Sequence, residues 1–318
     1  MTRTGIAVVG SLNVDLVVPV PHHPVPGETV LGGDHLRTPG GKGGNQAVAA
    51  ARLGQRVRMV SRVGGDDFGR LLVDALLADG VDTTRVLTSS DAPTGIALIT
   101  VDEQGENAIA VSPGANARLS PGDVTAAAAS LSSAAVTLLQ LEVPLPAVEM
   151  ASTLAGGIVV LNPAPAQFLP PALLGRADVL VPNRLELAIL AGTDTPPQNL
   201  DEVAALALEL PTEAAVVVTL GAQGALVCAA DVVTHVPATP ATVVDTTGAG
   251  DAFCGGLADA LSRGLEIEAA AAWATKVAVI AVSRRGAQAA MPRQAELHRR
   301  RHLRDPGGPS GTGAEGVV

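Results

Sequence analysis

The chain has 318 residues and a formal net charge of −10, with 47% hydrophobic and 16% charged residues. This composition supplies ample apolar material for a core, excludes an intrinsically disordered chain, and fits one large α/β domain or two smaller ones. The acidic balance and the near absence of aromatic residues (no Tyr, one Trp, three Phe) argue against a nucleic-acid partner, because basic surface and stacking platforms are both lacking.

The cysteines and the apolar runs indicate the cellular compartment of the protein. Cys228 and Cys254 are far apart and form no CxxC motif, which excludes a disulfide framework and a thiolate zinc site and favours a reducing compartment. No apolar run reaches the ~18 residues of a transmembrane helix, and the first one is too short for a signal peptide. We therefore expect a soluble, cytoplasmic protein without a membrane partner.

Short apolar, β-branched runs alternate with segments of helical period, which is typical of a parallel sheet with crossover helices. Strands are predicted at 6–9, 57–60, 135–141, 158–161, 179–181 and 215–220. Helices are predicted at 45–53 and 66–79, and a glycine follows each of them as a stop signal. Because the strands are continuously apolar, both faces of the sheet should be buried.

Two stretches, about 13–37 and 94–112, are interrupted by Pro, Gly and alternating polar residues. This pattern is typical of exposed antiparallel hairpins, and we expect a small sheet that projects from a main domain spanning 1–298. Residues 299–318 have three consecutive arginines and then Gly, Pro and Ser without periodicity, which predicts a disordered tail. The GxGxxG spacing at 311–316 follows no strand and is rejected as a dinucleotide site.

The segment 245–253, DTTGAGDAF, has the features of a phosphate cradle. Small residues at 248–250 let backbone N–H groups approach an anion, and the positive end of a helix dipole adds to the same point. Asp251 would then lie beside a transferring phosphoryl group and accept a proton from an attacking hydroxyl. The alternative is an ordinary glycine-rich turn with an N-cap aspartate.

A second glycine-rich segment, GGKGGN at 40–45, opens a helix. Its glycines permit close approach of the backbone to a ligand, and Lys42 and Asn45 offer donors to hydroxyl or phosphate oxygens. A P-loop is excluded because Gly43 follows the lysine, where that motif requires Ser or Thr. A structural turn remains the alternative.

Further polar residues stand at strand ends. Asn13 and Asp15 share one face of an extended segment and would suit the vicinal hydroxyls of a sugar, and a simple turn is the alternative explanation. Glu142 ends an apolar strand at the carboxyl edge of the sheet, where open α/β folds bind ligands. Asn183 and Glu186 follow another strand, and Glu186 could orient magnesium through water.

Taken in order, these segments resemble the ribokinase family of PfkB-type carbohydrate kinases, from about residue 5 to 297. The segments that carry the resemblance are GGKGGNQAVAAARLG at 40–54, GENAI at 105–109, GAN at 114–116, LLQLE at 138–142, NPAPA at 162–166, PNRLE at 182–186, TLGAQG at 219–224 and DTTGAGDAFCGGL at 245–257. The resemblance implies a three-layer α/β fold, with a mostly parallel central sheet between helices. It also implies a small β-sheet lid that commonly forms a homodimer interface.

The same resemblance implies ATP-dependent phosphorylation of D-ribose at its 5-hydroxyl, with magnesium required and a monovalent cation, usually potassium, as activator. Asp251 is then the base, and the anion hole is formed by Gly248, Ala249 and Gly250. The implied sugar-binding positions are Asn13, Asp15, Gly41, Lys42, Gly43, Gly44, Asn45, Glu142 and Asp251. The implied ATP-binding positions are Asn183, Thr219, Leu220, Gly221, Ala222, Gln223, Gly224, Gly250 and Thr275. The implied metal positions are Glu186 for magnesium and Asp245, Thr247, Ala281, Arg284 and Gly286 for potassium.

The chain departs from the family pattern at two positions. Arg184 follows Asn183, where family members often carry Glu, and Ala290 replaces a hydroxyl residue that can complete the potassium site. Two rival functions remain: a kinase for deoxyribose, a hexose or a nucleoside, and a sugar-binding regulator without catalysis. The scarcity of aromatic residues disfavours a nucleobase, and the intact Asp251 disfavours the regulator.

Overall fold

The computed structural model describes residues 3–299. The predicted tail at 299–318 therefore lies outside the described residues, apart from Arg299, which ends the last helix. The strands are β1 (Ile6–Val9), β2 (Asn13–Pro19), β3 (Leu36–Gly40), β4 (Val57–Gly64), β5 (Asp82–Ser89), β6 (Gly95–Val101), β7 (Asn107–Ser112), β8 (Val136–Leu139), β9 (Ile158–Leu161), β10 (Val179–Leu180), β11 (Ala215–Thr219), β12 (Ala225–Ala229) and β13 (Val232–Val236).

The helices pack on both sides of the large sheet. They are α1 (Lys42–Arg52), α2 (Asp67–Ala78), α3 (Pro121–Ala126), α4 (Ala128–Ser133), α5 (Leu145–Leu154), α6 (Pro171–Leu174), α7 (Arg184–Leu190), α8 (Leu200–Leu208), α9 (Ala249–Ser262), α10 (Ile267–Ala281) and α11 (Gln294–Arg299). Within residues 3–299, no helix combines the length and the apolar character needed to cross a membrane.

In the part of the chain that the structure describes, nine strands form the large sheet, in the order β13-β12-β11-β10-β9-β8-β1-β4-β5. The strands from β11 to β5 pair in parallel, whereas β12 and β13 join by antiparallel pairing. This confirms the predicted mostly parallel sheet. The predicted strand at 135–141 ends earlier, at Leu139, because the Leu141 N–H donates to the Ala164 carbonyl outside the sheet.

Alternate side chains of the buried strands contribute to two separate cores. In β1, Ile6 and Val8 pack on the side of α1, α2, α9 and α10, whereas Ala7 and Val9 pack on the side of α3 to α8. Both faces of the sheet are therefore covered, as continuously apolar strands predict. The result is the predicted three-layer α/β architecture.

The start of α1 differs from the prediction for a local reason. The predicted helix at 45–53 begins three residues earlier, at Lys42, although its N-cap residue Gly41 has no side chain to cap it. The Glu142 carboxylate accepts the Lys42 N–H at 3.0 Å and supplies the missing acceptor. The predicted helix at 66–79 matches α2, which Asp66 caps by accepting from the Gly69 N–H.

The two irregular stretches form a second, smaller sheet with the order β3-β2-β6-β7. The pairs β2–β3 and β6–β7 are antiparallel, as predicted, but β2 and β6 pair in parallel, which a description as two hairpins did not include. Residues 20–35 also connect β2 and β3 through a long irregular segment instead of a tight turn.

The strand order produces a topological switch point next to β1. β1 lies between β8 and β4, so that the chain leaves β1 toward one side of the sheet and returns to its other side. In open α/β sheets such a switch point opens a crevice at the carboxyl ends of the strands. Ser11 follows β1 and Glu142 follows β8 at this edge. Two residues after Ser11, β2 begins with the polar residue Asn13.

Candidate active site

Asp251 lies in the first turn of α9 and is buried against α1. Its Oδ2 accepts from the Asn45 side-chain amide at 2.9 Å, and its Oδ1 accepts from the Gln46 amide at 3.0 Å. The two helices can approach this closely because of Gly255, where an added Cβ would lie 2.5 Å from the Ala49 Cβ. The predicted base and one predicted sugar-binding residue are therefore in direct contact.

Three acids and one lysine share this crevice. Burial, followed by the charges of Glu142 and Asp251, raises the pKa of Asp15 to about 7. Burial also raises the pKa of Asp251, against the opposing effect of the Lys42 ammonium. Burial lowers the pKa of Lys42, but Asp251, Glu142 and Glu186 outweigh it and hold that pKa above its usual value. Such a crevice can accept several hydroxyl hydrogen bonds while a cation balances part of its charge.

Glu142 joins the ends of β1 and β8 to the start of α1. Its Oε2 accepts from the Ser11 hydroxyl and from the Lys42 backbone N–H. Ser11 was not among the predicted residues, although it lies two residues after the apolar strand β1, much as Glu142 lies shortly after β8.

The orientation of Asn13 is fixed by Asn116, another residue that sequence reasoning did not assign to the site. The Asn116 Oδ1 accepts from the Leu12 N–H at 2.9 Å, and its Nδ2 donates to the Leu12 carbonyl at 3.0 Å and to the Asn13 Oδ1 at 2.8 Å. The backbone therefore determines which way both amides point. As a result, Asn13 keeps its own N–H groups for a ligand.

One polar atom in the crevice lacks a partner. Among the described residues, nothing donates a hydrogen bond to the buried Oδ1 of Asn45. An unsatisfied buried acceptor is costly and is rare in folded proteins. A hydroxyl group of a ligand would satisfy it, since a hydroxyl can donate to Asn45 while it also approaches the neighbouring Asp251.

The glycines at 40–44 have more than one role. Gly41 adopts φ +83°, and a Cβ added at Gly40 would overlap the Asp15 carboxylate. A Cβ at Gly43 would lie 2.7 Å from the backbone of Gly10, so this glycine allows α1 to pack against the end of β1. Gly44 is similarly confined, 2.9 Å from a Leu12 methyl group.

A cavity of about 550 Å³ opens beside the first turn of α9. Its lining includes the predicted positions Thr219, Gly221, Ala222, Gly224, Ala249, Gly250 and Thr275. It also includes residues that were not predicted: Ala238, Thr239, Pro240, Ala241, Val243, Thr246, Phe253, Ala278, Val279 and Val282. Three predicted ATP-binding residues do not line it. Leu220 packs in the core, the Gln223 side chain accepts from Arg184, and Asn183 caps the start of α7.

The N-terminus of α9 faces both the polar crevice around Asp251 and the cavity of about 550 Å³. Its N-cap Gly248 has φ +72°, and a Cβ there would lie 3.2 Å from Ala287. At Gly250, by contrast, an added Cβ would meet no atom of the described residues within 4 Å. The helix therefore presents backbone N–H groups and its positive dipole end to open space, which suits an anion.

The NxxE segment forms a capping box at the start of α7. Asn183 accepts from the Glu186 N–H, and Glu186 accepts from the Asn183 N–H at 2.8 Å. Burial raises the pKa of Glu186, partly offset by that N–H and by Lys42. Arg184, the departure from the family pattern, donates to the Pro197 carbonyl and to Gln223. It thereby ties α7 to the turn after β11.

Residues 3–299 contain no group of three or more His, Cys, Asp or Glu side chains able to hold a metal ion. A single nearby carboxylate such as Glu186 still fits magnesium, because that ion commonly binds one or two carboxylates together with water and substrate phosphates.

The predicted potassium positions lie on two adjacent segments. The Asp245 carboxylate accepts from the Thr247 N–H at 2.9 Å and from the Gly286 N–H at 2.8 Å. Although burial raises the pKa of Asp245, these hydrogen bonds hold it below its usual value. Arg284 forms an ion pair with Glu296, and its N–H donates to the Ala281 carbonyl at 3.1 Å.

The model of the pfkB family of carbohydrate kinases matches residues 3–294. The chain belongs to this family. It is accordingly an ATP-dependent sugar kinase, and the three-layer fold with its second small sheet is the fold of the family. The chain is 38% identical over 297 residues to the ribokinase of Haemophilus influenzae, covering 92% of this chain and 97% of that protein.

Two other members of the family bear on the site. The chain is 39% identical over 293 residues to the deoxyribokinase of Salmonella typhi, covering 90% of this chain and 95% of that protein. The structure of Arabidopsis thaliana ribokinase complexed with ribose and ATP superposes with a TM-score of 0.84 at 30% identity, covering 94% of this chain and 98% of that one. Overall identity therefore does not distinguish ribose from deoxyribose as the acceptor.

Proposed function

We propose that this chain transfers the γ-phosphoryl group of ATP to the 5-hydroxyl of D-ribose. The observation that carries the proposal is the place of Asp251, buried at the start of α9 between the polar crevice and the cavity of about 550 Å³. The crevice suits a polyhydroxyl acceptor and the cavity suits a nucleotide. The candidate base and the N-terminus of α9 lie between the crevice and the cavity.

The crevice would bind the sugar through hydroxyl groups. Asp15 and Glu142 accept, Asn13 and Lys42 donate, and Asn45 offers the unsatisfied Oδ1 described above. Gly41 contributes backbone close to the same space. The acids and amides form paired hydrogen bonds with adjacent hydroxyls, which orients the sugar with its primary hydroxyl at Asp251.

Asp251 would act as general base. The O–H bond of the 5-hydroxyl breaks, its proton passes to the carboxylate, and its oxygen bonds to the γ-phosphorus as the bond to ADP breaks. The N–H groups at 248–250, at the end of the α9 dipole, stabilise the negative charge on the transferred group. Thr219, Gly221, Gly224 and Thr275 lie along the nucleotide in this arrangement.

Two cations complete the proposal. Glu186 would hold magnesium through water, and the ion supplies positive charge to the phosphates. Asp245, Thr247, Ala281, Arg284 and Gly286 would surround potassium, mostly through backbone carbonyls. The hydrogen bond from Gly286 to Asp245 supports the second site because it already holds the two segments together.

A second acceptor, 2-deoxyribose, is the specific alternative, because the deoxyribokinase is as similar to this chain as the ribokinase is. The two sugars differ only at the 2-position. The 2-hydroxyl of ribose could form hydrogen bonds with Asp15 as acceptor or with Asn13 and Lys42 as donors, and 2-deoxyribose could not.

Formation of ADP by the purified protein tests the proposal. ATP and magnesium are supplied with D-ribose, 2-deoxyribose, fructose or adenosine, each with sodium or potassium. Turnover selective for ribose and raised by potassium is expected. Selective turnover of another acceptor would change the assigned substrate from ribose to that acceptor and leave the role of Asp251 as base unchanged. Absence of turnover with every acceptor would favour a sugar-binding regulator.

We also propose that the protein is a cytoplasmic homodimer formed through the small sheet. Three apolar side chains on one face of this sheet are exposed, namely Leu36, Ile109 and Val111. A second copy would cover them, since an exposed apolar patch of this kind is typical of an interface.

A further inference from the structure

Gln46 follows the candidate sugar-binding residue Asn45 in α1, yet its surroundings are different. Its side chain has no exposure to solvent. Its Nε2 donates to the Asp251 Oδ1 at 3.0 Å and to the Asn162 Oδ1 at 3.3 Å, and its Oε1 accepts from the Gln140 Nε2 at 2.6 Å. Both amide hydrogens are therefore used inside the protein, so Gln46 is not arranged to bind a ligand.

The direction of these hydrogen bonds is fixed by the backbone. The Asn162 Nδ2 donates to the Val181 carbonyl at 2.9 Å, which requires the Asn162 Oδ1 to face Gln46. Gln46 must then turn its amide nitrogen toward Asn162 and Asp251, and its oxygen toward Gln140. Two side chains, Asn162 and Gln46, thus connect the Val181 carbonyl, which follows β10, to one oxygen of Asp251.

We propose that Gln46 is a positioning residue for Asp251, which holds Oδ1 in an accepting role and leaves Oδ2 to receive the proton of the acceptor hydroxyl. The inference rests on the proposed function. Each carboxylate oxygen of Asp251 accepts one amide N–H, Oδ1 from Gln46 and Oδ2 from Asn45. The two oxygens differ in their surroundings, because the Gln46 side chain is fully enclosed, whereas Asn45 has an Oδ1 that is unsatisfied in the described residues. An acceptor hydroxyl bound at Asn45 would therefore lie next to Oδ2 and not next to Oδ1.

Gln46 also affects when Asp251 is ionised. Burial raises the pKa of this carboxyl, whereas the Gln46 and Asn45 amides lower it by bonding to the ionised form. The other charged and titratable groups that face Asp251 are Lys42 on α1, Asp15 on β2, Glu142 after β8, Glu186 on α7 and Cys254 on α9. None of these groups changes when Gln46 is replaced by an apolar residue.

Gln55 provides a matched control. Its Nε2 donates to the Asp259 Oδ1 at 2.8 Å, so it makes the same type of hydrogen bond to the same helix, two turns beyond Asp251. A Gln55→Met variant removes an amide–carboxylate bond to α9 without changing the crevice.

The experiment compares Gln46→Met with Gln55→Met by the pH profile of kcat, using whichever acceptor the wild-type protein phosphorylates. For Gln46→Met we expect kcat about 10- to 100-fold lower, sugar and ATP KM within about threefold, and the acid limb of the profile about one pH unit higher. A purely structural role would lower stability without moving that limb, and this is the result expected for Gln55→Met.

A Gln140→Met variant gives an independent measurement, and it decides the matter if Gln46→Met does not fold. It removes the donor to the Gln46 Oε1 and leaves Asp251 untouched, so a smaller loss of kcat, about 3- to 10-fold, is expected in the same direction. An active wild type whose profile is unchanged in both variants would overturn this inference alone. A wild type inactive on every acceptor would overturn the proposed function together with it.

Discussion

The Asn45 amide nitrogen lies 2.9 Å from Oδ2 of Asp251, and the carbonyl oxygen of the same amide has no donor within the described residues. Asn45 therefore already contacts the candidate base and still has an acceptor to offer. A hydroxyl placed between them can donate to either residue. This arrangement connects the proposed binding of the sugar directly to its proposed activation.

Replacing Asp251 by Asn tests the candidate base. The amide has nearly the same shape but cannot take a proton, so we expect kcat to fall about 10²- to 10⁴-fold. The KM for ATP should stay within about threefold because the N–H groups at 248–250 remain. The measurement is steady-state ADP formation with saturating sugar.

Asp259 supplies the comparison for that variant. It is buried on the same helix and accepts from Gln55, Arg263 and Trp273, away from the crevice. Asp259→Asn should lower the unfolding temperature, followed by the fluorescence of Trp273, while kcat remains within about threefold of wild type. Equal loss of kcat in both variants, or unchanged turnover in Asp251→Asn, would contradict a role of Asp251 as base.

The raised pKa of Asp15 predicts a pH-dependent affinity for the sugar. An ionised carboxylate accepts hydroxyl hydrogen bonds at both oxygens and more strongly than the protonated acid does, so the sugar KM of the wild type should fall as the pH rises through about 7. Asp15→Asn should have a higher sugar KM that no longer changes across this range. Measuring KM from pH 5.5 to 8.5 checks this, and the same pH dependence in both proteins would rule out Asp15 as its origin.

The same group should lower the stability of the sugar-free protein as the pH rises. Between pH 4 and about 7 the unfolded chain has released the Asp15 proton while the folded protein retains it, so the free energy of unfolding decreases with pH. A shift from 3.8 to about 7 corresponds to a cost of about 4 kcal/mol. Urea denaturation at pH 4.5 and 8 should show this decrease in the wild type, and a smaller one in Asp15→Asn.

Two glycine variants separate ligand binding from folding. A Cβ at Gly250 meets no described atom within 4 Å, so Gly250→Ala should fold and keep or raise its unfolding temperature. Its methyl group would occupy the space proposed for the phosphates, so the KM for ATP should rise about tenfold or more. Unchanged ATP KM and kcat would place the phosphates elsewhere.

Gly224 provides the contrast, since it also borders the nucleotide cavity. It adopts φ +91°, and a Cβ there would overlap the Val236 carbonyl oxygen. Gly224→Ala should therefore lower the unfolding temperature, because the residue is strained and crowded at once. Thermal unfolding of the two variants side by side measures the difference.

The predicted part of the site follows from local signals. Asp251, Lys42 and Asn45 stand next to glycines at the start of a helix, and Glu142 follows an apolar strand, so their positions could be inferred from neighbouring residues. Gln46 carries no such signal by itself. Its role depends on Gln140, which lies 94 positions away along the chain.

Long-range contacts explain the remaining differences. The start of α1 at Lys42 depends on the carboxylate of Glu142, 100 positions away, which no helical periodicity can indicate. The parallel pairing of β2 with β6 likewise joins segments whose own patterns specify only hairpins. The stretch from Ala238 to Val243 has neither period nor motif, and only the fold brings it to the cavity.

A charge on the exposed edge of the small sheet tests the proposed dimer. Ile109 in β7 has 54% of its surface exposed, and Leu77 in α2 has the same exposed fraction on the main domain. If a second copy covers the small sheet, Ile109→Lys places a charge in an apolar interface and should shift the protein from dimer to monomer in sedimentation equilibrium. Leu77→Lys should leave the dimer intact. A monomeric wild type, or a dimer that only Leu77→Lys weakens, would place any interface outside this sheet.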